Sequence, residues 1–234
     1  MGLPIQNTPT YTCVLPQSGQ EVKYRPFLVK EQKILVLARE SEDQKAVMSS
    51  LTELISNVTF GEVAVKELAT IDLEFLFLQV RAKSVGETAD VTISCQEEGC
   101  AGSGQATVDL NEVEVKGSVP EDNKIMLTDE LGVIVRVPNV NDLQDVGDVD
   151  EGDSGLFVMK KSIETIFDAE NVYEVSDVSK EDLDEFIDSL TLQQVEKVGS
   201  YFNDLPRLEK EVEYQCNLCG TKQSRTLVGL QSFF

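Results

Sequence analysis

The spacing of apolar positions predicts a β-hairpin followed by helices in the first third of the chain. Pro16 and Gly19 lie between two short stretches of alternating apolar and polar residues, where they favour a turn. After Pro26 the apolar residues recur at helical spacing. The predicted strands lie near 10–15 and 21–25, and the predicted helices cover 28–40, 43–57 and 71–85.

The helix predicted at 71–85 is apolar on nearly all sides, because Phe75, Leu76, Phe77 and Leu78 are consecutive. One core cannot take every face of a helix, so part of this surface is expected to contact another subunit. The chain also ends in Phe233 and Phe234, for which exposure is expected because chain ends fray unless they dock. The sequence thus predicts a partner interface at Phe75, Phe77, Phe233 and Phe234; the alternative is a self-contained core with a disordered end.

The rest of the chain alternates between β and helical patterns, which predicts an α+β fold. An N-terminal β-hairpin with helices precedes a zinc-ribbon-like β region, and an acidic, mainly helical insertion separates the two halves of the ribbon. The predicted elements are β structure over 88–119, a hairpin over 124–137, helices near 156–168, 180–189 and 191–203, and strands around 211–214 and 225–228. The predicted domains are 1–87, 88–119 together with 207–234, and the inserted 120–206.

Four of the five cysteines form two closely spaced pairs, each at the tip of a predicted hairpin. Cys95 and Cys100 enclose four residues, while Cys216 and Cys219 enclose two and precede Gly220. Two such turns facing each other form a tetrahedral zinc site of the zinc-ribbon kind. The alternatives are four independent reduced thiols, or a redox pair at Cys216 and Cys219. The fifth cysteine, Cys13, lies in an alternating strand pattern and is expected to be a small buried residue.

Composition excludes several classes of function. The chain has 42 acidic and 20 basic residues, a net charge of −22, which argues against binding to nucleic acid. It contains no histidine, so the commonest general base and the histidine-dependent catalytic triads are missing. A zinc held by four thiolates has no position open for water and is structural. The sequence therefore favours binding or assembly over catalysis, and it predicts neither a membrane span nor a secretory signal.

Much of the negative charge lies in one stretch. Between Asp142 and Asp188 there are sixteen acids and three lysines, which gives −13 of the total −22. Such a stretch faces solvent or meets a basic partner, and solvent is the default. Acids alternate with other residues over 145–155, but Gly152 and Asp153 stand in the reverse of the order that an EF-hand loop requires. A solvated flexible loop is therefore expected there instead of a calcium site.

Two segments and a cysteine turn carry a resemblance to a known family. The segments KYRPFLVKEQKILVLARES (23–41) and IDLEFLFLQVRAKSVGE (71–87), followed by the turn at Cys95, resemble the baseplate hub subunit family of T-even-type contractile-tailed bacteriophages. The resemblance covers 20–110 and returns at 214–221. It implies a non-enzymatic baseplate component near the central hub and tail tube, with the cysteines as a Zn²⁺ site.

The resemblance leaves more than one role open. The first is a structural or adaptor protein in the virion tail baseplate, contacting other baseplate and hub proteins, with the tail tube or tape-measure protein as further partners. The second is a transient chaperone of hub assembly, present in the host cytoplasm and missing from the mature virion. A third, from another class, is a cytosolic zinc-ribbon regulator or a thiol-redox enzyme; the net charge argues against DNA contact by such a regulator.

Overall fold

The computed structural model describes residues 7–40, 44–146, 149 and 153–233, and within them the chain is a mixed α+β protein. The predicted fold class is confirmed. The helices are α1 (Val29–Glu40), α2 (Gln44–Val58), α3 (Thr70–Ser84), α4 (Ser154–Ser162), α5 (Lys180–Asp188) and α6 (Leu192–Asn203). The strands are β1 (Tyr11–Val14), β2 (Glu21–Tyr24), β3 (Thr88–Ser94), β4 (Ser103–Asp109), β5 (Glu114–Lys116), β6 (Lys124–Met126), β7 (Gly132–Val135), β8 (Ile163–Phe167), β9 (Val172–Glu174), β10 (Arg207–Gln215) and β11 (Lys222–Val228).

The N-terminal hairpin is joined to α3 by a buried carboxylate. Strands β1 and β2 pair antiparallel, with Tyr11 opposite Tyr24. At their turn the backbone N–H groups of Gln17 and Ser18 donate to the two carboxylate oxygens of Asp72, at 2.7 and 3.0 Å. Asp72 lies in the first turn of α3 and is fully buried. Since a buried charge is costly without hydrogen bonds, this contact fixes the hairpin relative to the helix.

The start of α1 is fixed by a second buried carboxylate. Glu31 accepts hydrogen bonds from both terminal nitrogens of Arg25, at 2.9 and 2.7 Å, and from the backbone N–H of Leu28. Burial alone would raise the pKa of the Glu31 carboxyl, but the hydrogen bonds from Arg25 and Leu28 outweigh it and lower that pKa. The bidentate pair therefore remains ionised at neutral pH and sets the angle at which the chain enters α1.

Helix α3 lies between two apolar cores, which explains why its sequence is apolar all round. Ile71, Leu78 and Ala82 face the first core, and Leu73, Leu76 and Val80 face the second. The first core contains Ile71, Leu78, Ala82, Ala89, Val91, Ile93, Val108, Leu110, Val113, Leu208, Val212, Tyr214, Leu227 and Phe233. The second core contains Leu15, Val22, Tyr24, Leu54, Ile55, Val58, Val63, Val65, Leu68, Leu73, Leu76, Val80 and Val140.

This arrangement corrects the expected exposure of the chain end. Phe233, in the short 3-10 helix Leu230–Phe233, is 0% exposed and belongs to the first core, so its predicted exposure was wrong. The 3-10 turn folds the end back over the sheets and docks it. Phe234 lies outside the described residues. Phe75 and Phe77 are half-buried and pack against the cores of their own chain, and a partner contact at these two residues stays a prediction.

Two small sheets lie on the other side of the first core. Strands β3 and β4 form one antiparallel pair, and the second sheet has the order β11-β10-β5. Inward residues of both, such as Val91 and Val108 on the first sheet and Leu208 and Val212 on the second, meet in the first core. The two sheets therefore come together although their strands are far apart in sequence.

The intervening segment forms a further sheet with its own apolar core. Its four strands have the order β6-β7-β8-β9 and pack with α4, α5 and α6. The third core contains Leu127, Val133, Val135, Met159, Ile163, Ile166, Leu183, Ile187, Val198 and Tyr201. The division of the chain into three domains stays a prediction.

The helix predicted at 156–168 is shorter than expected. Helix α4 ends at Ser162, and the chain continues directly as β8, which pairs with β7 and β9. The sequence Ile-Glu-Thr-Ile-Phe of β8 is rich in β-branched and aromatic residues, which fit a sheet better than a helix. Strand β9 was not predicted. Five residues of the 145–155 loop, including Gly152 of the two compared with an EF-hand, lie outside the described residues, whereas Asp153 directly precedes α4.

Candidate metal centre

The two cysteine pairs meet at one point of the structure. The sulfurs of Cys95, Cys100, Cys216 and Cys219 all lie within 4.8 Å of one another. Cys95 Sγ is 3.7 Å from Cys219 Sγ, and Cys100 Sγ is 3.8 Å from Cys216 Sγ. The two short distances thus join one pair to the other, across positions 124 and 116 apart in the sequence.

Each pair lies on a tight turn at the end of a strand hairpin. Beyond β3 and β4 the backbone N–H of Cys95 donates to the carbonyl of Gly102 at 2.9 Å. Beyond β10 and β11 the N–H of Cys216 donates to the carbonyl of Thr221 at 3.0 Å. Gly220 has φ of 74°, a conformation that residues with a Cβ rarely adopt, so glycine directly after Cys219 permits the turn. Each hairpin therefore presents its two thiols on one side.

The backbone around the thiols is arranged to stabilise negative charge on sulfur. The N–H of Glu97 lies 3.5 Å from Cys95 Sγ, and the N–H of Leu218 lies 3.4 Å from Cys216 Sγ. Backbone N–H groups at Gly102 and Thr221 act in the same way on Cys100 and Cys219. In all four cases the donor follows its cysteine by two residues. Such N–H donors favour the thiolate, which is the form that binds metals.

The four thiols differ in pKa because each has different hydrogen-bond donors and because ionising one thiol disfavours ionisation of its neighbours. The hydroxyl and the backbone N–H of Thr221 lower the pKa of Cys219 to about 6. The N–H of Glu97 opposes a rise at Cys95, but burial and the neighbouring thiols outweigh it and raise the pKa of Cys95 to about 12. Negative charge therefore accumulates first on the Cys216–Cys219 turn, whose two pKa values are both lowered. A cation among the sulfurs would favour all four thiolates at once.

Direct contacts hold one turn against the other. The backbone N–H of Asn217 donates to the carbonyl of Ser103 at 2.8 Å, and the N–H of Ser103 lies 3.2 Å from the side-chain oxygen of Asn217. Gly102 makes this approach possible: a Cβ there would lie 2.5 Å from Cys216 Sγ and 2.6 Å from Leu218 Cβ. Asn217, Ser103 and Gly102 were not among the residues predicted for the site, because no motif in the sequence marks them.

A glutamine on β11 makes a second connection beside the cysteines. The side-chain oxygen of Gln223 accepts from the backbone N–H of Gln96 at 3.0 Å and lies 2.6 Å from the hydroxyl of Tyr214. That hydroxyl also lies 3.0 Å from the carbonyl of Ser94. These contacts link the end of β3 to the β10–β11 hairpin. No sequence motif marks Gln223; only its position three residues after Gly220 relates it to the turn.

The arrangement can bind a metal ion through four sulfurs. Within the described part of the chain no other cluster of three or more cysteines and acids with this geometry is present. Cys13 lies apart from it, half-buried against the second core, and burial together with the charge of Asp72 raises the pKa of its thiol to about 11. That thiol packs against the apolar core, as its strand pattern predicted, but it is half-buried instead of fully buried.

Comparison with known proteins gives the family. The model of the family described as T4 bacteriophage base plate protein matches residues 8–234. No curated protein and no solved structure matches the chain. Within the residues that the structure describes, no helix has the length and apolar content that crossing a bilayer requires. Since the family model matches nearly the whole chain, this protein belongs to the T4 bacteriophage base plate protein family.

Proposed function

We propose that this protein is a structural, adaptor component of a contractile phage tail baseplate, located near the central hub. The observation that carries the proposal is the family match over 8–234. The position near the hub rests on the resemblance of residues 23–41 and 71–87 to hub subunits. Members of a structural baseplate family act by contact with their neighbours, and we infer that this chain contacts other baseplate and hub proteins and has no enzymatic role.

We also propose that the four cysteines bind one structural Zn²⁺. A tetrahedron with Zn–S bonds of about 2.3 Å has edges of about 3.8 Å. The two short sulfur separations, 3.7 and 3.8 Å, agree with such edges. Four sulfur donors without carboxylate or imidazole form a closed site typical of structural zinc, and the N–H groups directed at the sulfurs favour the thiolates it needs.

The ion would stabilise the contact between hairpins that are distant in sequence. Closing a chain segment of more than a hundred residues costs conformational entropy, and a bound metal offsets that cost by joining its ends. In this way the zinc would hold the β3–β4 turn against the β10–β11 turn while the intervening segment folds on its own core.

Purified intact tails test the baseplate role. We expect mass spectrometry to find the chain in mature virions at a fixed ratio to other baseplate proteins, and a density map to show it beside the hub. Its presence in assembly intermediates together with its loss from mature tails would instead support the transient chaperone. A chain found only free in the infected cell would contradict both and favour a regulatory protein.

A further inference from the structure

An apolar groove lies between α4 and α6, away from the cysteines. Its volume is about 610 Å³. Leu156 and Met159 of α4 form one wall, Val195 and Phe202 of α6 form the other, and Ile71 from the start of α3 is at its base. On the same face of α6, one turn before Val195, Leu192 is 82% exposed. The groove and its rim therefore leave apolar surface open to solvent.

Glycines in the two walls leave room for a close neighbour. Gly155 on α4 and Gly199 on α6 both line the groove, and a Cβ at either would meet no atom within 4 Å. Neither glycine is therefore required by packing inside its own chain. Gly199 stands in the middle of a helix, where glycine is less favourable than alanine. Its placement is consistent with another backbone lying in the groove.

The rim of the groove is negatively charged. Asp153 precedes Gly155 and Leu156 of α4 by two and three residues, and Glu196 follows Val195 on α6. Both are exposed, and neither forms an ion pair with another residue in the described part of the chain. An occupant that combines apolar side chains with lysine or arginine would complement this rim.

The outer face of α1 has that composition. Val29 and Val36 are seven residues apart, two turns on one helix face, and are 69% and 46% exposed. Lys33 lies between them on this face and Lys30 lies beside it; both are exposed and neither pairs with a described acid. The opposite face of α1 carries the buried Glu31. The stripe is apolar and basic in a chain whose net charge is −22.

We propose that the groove between α4 and α6 binds the outer face of α1 from a second copy of this chain. Val29 and Val36 enter the groove at helical spacing, as in other helix-in-groove complexes, and Lys30 and Lys33 meet the acidic rim. The complementary charges argue for this occupant, because one chain carries both the acidic rim of the groove and the basic face of α1. The contact is head-to-tail, so copies add in one direction and form a ring or a short filament. It requires neither the zinc nor a phage partner.

Charge reversal in two separate variants tests the proposal with the full-length protein. Sedimentation should show concentration-dependent self-association of the wild type that weakens as salt is added. Lys30→Glu with Lys33→Glu, and separately Asp153→Lys with Glu196→Lys, should each weaken it by about tenfold or more, because both place like charges together. Mixing the two variants should restore association, since each contact in the mixture again joins opposite charges.

Filling the groove gives an independent test. Gly199→Leu should weaken association while leaving thermal stability unchanged or higher, because the new side chain enters open space on a helix. Gly199→Ala is the matched control with less bulk. A wild type that stays monomeric at all attainable concentrations overturns the proposal. Self-association that survives both charge reversals, or a mixture that fails to recover, overturns it as well, as does a tail map with another protein in the groove.

Discussion

The two ends of the paired sheets are held together by different physical means. Around α3 the contact is apolar: Leu78, Val108, Leu208 and Phe233 are almost fully buried in the first core. At the opposite end Cys219 and Leu218 are exposed, and the contact consists of four sulfurs and a few hydrogen bonds. Hydrophobic burial thus holds one end, while the cysteine turns beyond Ile93 and Tyr214 have little apolar area to bury.

The difference shows why a metal site lies where it does. Short turns at strand ends are polar and well solvated, so burial alone contributes little to fixing them. A metal centre provides strong, directional contacts in a small volume and needs no surrounding core. The comparison therefore predicts that damage at the cysteines stays local and depends on metal, whereas damage around α3 lowers the stability of the folded chain whether or not metal is bound.

The largest effect is expected from Cys216→Ser. Removing one of the four thiolate ligands should abolish zinc binding. The effect should be large, because the binding of structural zinc to small zinc-finger peptides has a free energy of about 10–16 kcal/mol. Metal analysis should find close to one zinc per chain in the wild type and none in the variant. Hydrogen exchange should accelerate in the two turns and the adjoining ends of β3 and β11, but much less in α3.

Cys13→Ala is the matched control for that experiment. It also removes a thiol, but one outside the cluster, so zinc content should be unchanged. If Cys216→Ser retained full zinc, or if both variants lost it equally, the assignment of the four ligands would be wrong. Chelation of wild-type protein should reproduce the local exchange pattern of Cys216→Ser.

A smaller but global effect is expected from Leu78→Ala. Leu78 is fully buried in the first core, so truncation should lower the free energy of unfolding by about 2–5 kcal/mol. Zinc content of the folded variant should stay at the wild-type level. Leu192→Ala removes the same atoms at an exposed position and should change stability by less than about 0.5 kcal/mol. Urea denaturation followed by circular dichroism measures both; equal effects would contradict the placement of α3.

Local patterns in the sequence were sufficient for most of the elements and for the cysteine site. The hairpin of β1 and β2, the helices α1 to α3 and the spacing of the cysteines all depend on residues close in the chain. The periodicity of apolar residues and the spacing of cysteines indicate such short-range features. That the two turns meet was predicted from the ligand needs of zinc, because a tetrahedral site requires four thiolates and each turn supplies only two.

The features that were missed depend on contacts between distant residues. Strand β8 follows α4 without a break; its β-branched and aromatic residues favour a sheet, but only its pairing with β7 and β9 marks where the helix ends. Phe233 is buried because two sheets and α3 enclose it, which no pattern near the chain end indicates. The Asn217–Ser103 contact joins positions 114 apart. At Phe233 and at the Asn217–Ser103 contact, packing between distant segments determines a structure that no local pattern indicates.

The smallest effect is expected from Gly102→Ala, at the boundary between the two kinds of contact. The added Cβ would overlap Cys216 Sγ and Leu218 Cβ, at 2.5 and 2.6 Å, so the two turns must move apart. We expect a loss of about 1–3 kcal/mol in the free energy of unfolding. Weaker zinc retention should follow, because the tetrahedron is built from both turns. Competition with a chromogenic chelator measures that retention.

Gly155→Ala is the control for this substitution, because its added Cβ meets no atom within 4 Å on the surface of a helix. It should leave zinc retention unchanged and stability equal or slightly higher. If Gly102→Ala destabilised the chain but bound zinc as tightly as the wild type, the close approach of the turns would matter only for packing. If both properties were unchanged, the two turns would not approach as closely as Gly102 allows, and the distinction between a metal-held end and a core-held end would lose its structural basis.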